Sequence, residues 1–195
     1  MNTPTATESA RQALLQYGVT QFPIRVSPFC EKMGIHCKLY HPKDGNDGCC
    51  GIRNDTVYIF IADREAPTTK KDLRHTAEYR RFTAAHELGH SLRGHVGSWS
   101  WVSEDGTVYH ITKHGMKYKQ MEQEADDFAA EFLMPQCVLL ALGVTEAEEI
   151  ARLCNVTYPD ALRTAKIIEH RVQCNNPLTD TEKALLRQFH IETRN

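Results

Sequence analysis

Residues 82–95, Phe-Thr-Ala-Ala-His-Glu-Leu-Gly-His-Ser-Leu-Arg-Gly-His, set three histidines and one glutamate among residues that are largely small or apolar. In an α-helix, residues four apart are separated by about 40° of rotation and stand one turn apart on one face. His86 and His90 therefore project together, with Glu87 beside them. A solvated helix has no reason to surround its histidines with Phe82, Ala84, Ala85 and Leu88. Gly89 costs a helix interior about 1 kcal/mol relative to Ala, a cost explained if another element must pass close to it.

Two imidazoles at this spacing can share one tetrahedral zinc ion. The adjacent carboxylate of Glu87 is rotated toward the open coordination position, where it can take a proton from water and hand it to a leaving amine. The spacing is the His-Glu-x-x-His pattern of zinc metallopeptidases.

A third protein ligand is required. His95 lies five residues after His90, so a continuing helix would carry it about 140° round, away from the pair. The extended metzincin pattern needs Gly at 93 and His at 96, where this chain has Arg93 and Val96. The better source is Met-Glu-Gln-Glu-Ala-Asp-Asp-Phe-Ala-Ala-Glu-Phe-Leu-Met-Pro, residues 121–135. There Glu122 could ligate while Asp126, one turn on, orients a ligand histidine through its second ring nitrogen. Glu124 is the rival ligand. A donor to the developing oxyanion could come from Tyr109, His110, His114 or Tyr118, among which the sequence does not choose.

The rest of the chain bounds the function. Its 195 residues suit one domain, with 41% hydrophobic and mixed charges. A formal charge of −2 gives no reason to expect direct nucleic-acid binding. No run approaches the roughly 18 apolar residues that span a bilayer, and the N-terminus lacks the pattern of a secretory signal. Seven cysteines, an odd number, are expected as reduced thiols in a cytoplasmic protein. Cys30, His36, Cys37, His41, Cys49 and Cys50 crowd together without a Cys-x-x-Cys pair and are expected to be free thiols, with Cys49 and Cys50 in an exposed glycine-rich loop.

Periodicity predicts helices over residues 6–17, 27–32, 73–93, 118–134, from Pro159 to about Arg171, and 180–190. Another opens with a capping box formed by Thr145 and Glu148. Strands are expected at 35–41 and 56–62, with a turn-rich segment at 42–51 and a hairpin at 98–110 around Asp105-Gly106. The domain is expected to span 1–175, with 176–195 as a C-terminal helical tail.

Arg-Arg-Phe-Thr-Ala-Ala-His-Glu-Leu-Gly-His, followed some thirty residues later by Glu-Gln-Glu-Ala-Asp-Asp-Phe-Ala-Ala-Glu-Phe-Leu-Met-Pro, resembles the ImmA/IrrE family of metallopeptidases. The likeness extends over residues 10–170. It implies an α+β, zincin-like fold, with a small sheet packed on the active-site helix and further helices C-terminal. It implies a gluzincin-like zinc site of His86, His90 and Glu122, and it favours Glu122 over Glu124. Manganese is the other metal such a donor set accepts. The activity implied is limited proteolysis of a protein partner, a helix-turn-helix repressor of a phage, mobile element or stress regulon. Some relatives carry a DNA-binding domain before the peptidase; this chain starts too close to the peptidase region, so DNA targeting is expected through a partner. Rival readings are a non-cleaving protein that sequesters a regulator and a toxin-like component that keeps the fold.

Overall fold

The computed structural model describes residues 4–41, 46–65, 72–95, 100–102, 108–110 and 116–192. In chain order the elements are α1 (Ala6–Gln16), α2 (Val26–Lys32), β1 (His36–Tyr40), β2 (Gly48–Arg53), β3 (Thr56–Ala62), α3 (Ala77–Leu92), β4 (Ser100–Val102), β5 (Val108–His110), α4 (Met116–Leu133), α5 (Gln136–Ala141), α6 (Ala147–Cys154), α7 (Tyr158–Gln173) and α8 (Asp180–Gln188). They fall into two compact units, Arg25–Ala129 and Met1–Ile24 with Ala130–Asn195. The fold is mixed α+β, as the sequence led us to expect.

The unit Arg25–Ala129 is built on a five-stranded sheet of order β1-β3-β2-β4-β5. Strand β3, paired on both sides, is β-branched and aromatic, a composition that fits a pleated, buried surface, and it buries Ile59, Phe60, Ile61 and Ala62. β1 runs parallel to β3, and β2 runs antiparallel to it. β4 and β5 form the expected antiparallel hairpin; the Asp105-Gly106 turn lies outside the described residues.

β2 corrects the sequence reading, which assigned residues 42–51 to turns. Asn54 and Asp55, both left-handed at φ 48° and 59°, fold the chain back in a two-residue hairpin. Gly48 to Arg53 thereby pair with Ile61 to Thr56. Paired residues share a face, so Gly48, Cys50, Ile59 and Ile61 point toward α3. Cys49 and Phe60 point the other way, packed with Tyr40 and Tyr58. Cys49 and Cys50 are buried strand residues and not members of an exposed loop.

In the second unit, α1 carries Arg11 onto two buried carboxylates, Glu131 at 2.7 Å and Glu182 at 3.0 Å. Arg171 also holds Glu182, joining these side chains into one ion network. In the same unit Leu14, Phe132, Leu139, Ile150, Ile168 and Leu185 are almost fully buried. α8 begins with a complete capping box between Thr179 and Glu182. α6 does not begin as expected: its N-cap is Glu146, with no side-chain capping bond, and Thr145 with Glu148 forms no box. Among the described residues, no helix is long and apolar enough to cross a membrane.

Candidate metal centre

α3 starts at Thr76, whose hydroxyl accepts a hydrogen bond from the Tyr79 amide at 3.2 Å. From there an uninterrupted helix carries the whole His-Glu-x-x-His segment. Gly89 has the neighbour its cost demanded. A Cβ there would stand 3.1 Å from the Phe128 Cβ, so α4 passes almost in backbone contact. That approach brings Glu122, earlier on α4, up to the two imidazoles.

The result is one cluster in which ligand atoms of His86, His90 and Glu122 all lie within 4.8 Å of one another. The two Nε2 atoms are 3.1 Å apart. Glu122 lies 3.5 Å from His86 Nε2 and 3.2 Å from His90 Nε2. A tetrahedral zinc with ligands at 2.0–2.1 Å separates those ligands by about 3.3 Å, so the three side chains have the chemistry and the spacing to hold such an ion. Burial alone would lower the His86 imidazole, but hydrogen bonds with Asp126 and Glu122 outweigh it and hold the ring at about 10. Burial would likewise raise Glu122, yet its bonds to His86 and His90 win and hold it below the usual carboxylate range.

The Asp126 Oδ1 lies 2.8 Å from His86 Nδ1. Such a bond fixes the tautomer that leaves Nε2 free to ligate. Glu87 is 7% exposed. Strand β2 passes directly over it: a Cβ at Gly48 would stand 3.1 Å from Glu87 Oε1 and 2.5 Å from Thr83 Cγ2. Two residues on, burial pushes the Cys50 thiol well up, and the Glu87 carboxylate that accepts its hydrogen bond adds to this.

Glu124 is engaged elsewhere. Its Oε2 accepts from Arg93 Nη2 at 2.6 Å and Nε at 2.9 Å, and its Oε1 accepts from Gln120 at 3.0 Å. His95 also differs from expectation, because α3 does not continue through it. The helix ends at Leu92, Gly94 turns left-handed at φ 71°, and the His95 amide bonds back to the His90 carbonyl at 2.9 Å. Its ring returns to His90, with the two Nδ1 atoms 3.0 Å apart. Gly94 was the available signal, since a glycine just past a helix end permits this reversal.

Of the four oxyanion candidates, Tyr118 has a described side chain. Burial raises its pKa, as does the nearby Glu122 carboxylate, which accepts its hydrogen bond. The side chains of Tyr109, His110 and His114 lie outside the described residues. Within the described residues, none of the seven cysteines is in a disulfide.

Residues 72–165 match the model of the Peptidase_M78 family, described as the IrrE N-terminal-like domain. That span carries α3 and α4, and with them His86, Glu87, His90 and Glu122. No curated protein matches the chain.

Proposed function

We propose that this chain, which belongs to the IrrE N-terminal-like family of peptidases, is a zinc-dependent endopeptidase that makes a limited cut in a protein partner. The observation that carries the reading is the convergence of His86, His90 and Glu122, with Glu87 buried beside them on the same helix. His86 and His90 would hold the metal through Nε2 and Glu122 through a carboxylate oxygen. Zinc best fits this two-imidazole, one-carboxylate set, and manganese is the alternative. A bound zinc supplies Lewis-acid polarisation of the scissile carbonyl and makes water more acidic.

The chain's own residues do the remainder. Glu87 takes one proton from the attacking water as its oxygen bonds to the carbonyl carbon. It then delivers that proton to the amide nitrogen as the carbon–nitrogen bond breaks. Asp126 keeps the His86 ring in one orientation throughout. Cys50 and the β2 backbone at Gly48 confine the Glu87 carboxylate to one side of α3.

On the family resemblance, the substrate is a regulatory protein of the helix-turn-helix repressor type, met in the cytoplasm and not through direct contact with DNA. The experiment is co-expression with repressors encoded near the gene, followed by mass spectrometry of each. One new pair of termini with the wild type and none with Glu87→Gln supports the reading. Intact repressors with both, from zinc-loaded protein, overturn it.

A further inference from the structure

The two candidate ligand histidines are backed in different ways. His86 meets a carboxylate directly through Asp126. His90 meets another imidazole, with its Nδ1 3.0 Å from His95 Nδ1. Two ring nitrogens at that distance need one proton between them, so one donates and the other accepts.

The direction follows from the rest of the site, on the reading that His90 gives its Nε2 lone pair to a metal. Its proton then resides on Nδ1, and His95 Nδ1 must accept. The proton of His95 is thereby placed on Nε2, which lies 3.4 Å from Glu124 Oε2. Glu124 is itself fixed by Arg93 and Gln120. The His95 side chain is 11% exposed and that of Arg93 9%, so water competes little for these bonds.

We propose that His95 and Glu124 are positioning residues for His90. His95 accepts the His90 Nδ1–H, and Glu124 orients His95 by accepting from its Nε2–H. The inference deepens the proposed function and rests on its metal site. It gives roles to the two residues set aside as ligands, each acting at one or two hydrogen bonds from the ion. It also explains why the chain turns sharply at Gly94: a helix continuing past Leu92 would carry His95 away from His90.

The test is zinc affinity, by competition with a chromogenic chelator at fixed pH, together with the melting temperature of the metal-free protein. The full-length chain is used as wild type, His95→Leu, His95→Asn and Glu124→Gln. Losing a hydrogen-bonded partner of a ligand histidine weakens metal binding by about 10- to 100-fold, and that is expected of His95→Leu. His95→Asn keeps an acceptor oxygen near the Nδ1 position and should recover most of the loss. Glu124→Gln should fall in the same direction by less, with the metal-free melting temperature little changed. If His95→Leu does not fold, the Glu124→Gln result alone decides. Zinc affinity in His95→Leu equal to wild type overturns the relay. So does equal loss in His95→Leu and His95→Asn, matched by equal loss of metal-free stability. A wild type that takes up no zinc overturns instead the metal reading on which the relay stands.

Discussion

Gly48 and Glu87 are so close that a Cβ on the glycine would stand 3.1 Å from the carboxylate oxygen Oε1. The same Cβ would stand 2.5 Å from Thr83 Cγ2, a distance real Cβ atoms do not adopt. Thr83 has little freedom to yield, because its hydroxyl is bonded to the Tyr79 carbonyl at 3.1 Å. Gly48→Ala should therefore push β2 off α3 and displace Glu87. Overpacking of this kind costs about 1–3 kcal/mol, read as a lower melting temperature. Thr83→Ser removes the methyl group, so the double variant should recover part of the loss. A Gly48→Ala protein as stable as wild type would mean that β2 does not press on the helix.

Glu87 and Glu122 should separate cleanly when each is changed. Glu87→Gln is expected to keep about one zinc per chain and to lose roughly 100- to 10,000-fold in turnover, the usual share of a general acid–base group. Glu122→Ala is expected to lose the zinc itself. Elemental analysis of the purified proteins decides it. Zinc retained by Glu122→Ala would move the third ligand elsewhere.

Asp126 tests whether the histidines must be oriented as well as present. It is bonded to His86 Nδ1 at 2.8 Å and lies one turn beyond Glu122 on α4. Asp126→Ala removes the acceptor that fixes the His86 tautomer, so zinc affinity should fall by about 10- to 100-fold while stoichiometry at saturation is kept. Unchanged affinity would show that packing alone holds the ring.

What could be seen from sequence was whatever depends on short-range spacing. His86, Glu87 and His90 lie within one helical turn and a half, and Glu122 with Asp126 within another, so helical geometry alone set their faces. The need for close approach at Gly89 was legible too, though not that Phe128 would supply it. What escaped depended on non-local pairing or on chain reversal. Gly-Cys-Cys-Gly has no alternating pattern and reads as a turn; it is a strand because β3 pairs with it and α3 covers it. The one local clue was Asn54-Asp55, which supports a tight hairpin. His95 was set aside on the geometry of a helix that ends three residues before it.

Stability should also carry a pH signature from Glu131, fully buried in the other unit. Burial raises its carboxyl from 4.5 to about 7, outweighing the attraction of Arg11. Glu182, Arg171 and Cys137 are the other titratable groups around it. Between pH 4.5 and 7 the native state holds a proton on Glu131 that the unfolded chain has released. The contribution of this group is therefore full below the unfolded value and is lost as pH rises through the folded one, by up to about 3 kcal/mol. Glu182 acts oppositely and at lower pH: burial would raise it, but Arg171 holds it down, so its contribution is lost as pH falls below the ordinary carboxylate range. The difference between wild type and Glu131→Gln isolates the first effect. Denaturant titrations from pH 5 to 8 should give a falling wild-type curve and a flatter one for the variant. Parallel curves would mean that Arg11 keeps Glu131 ionised throughout.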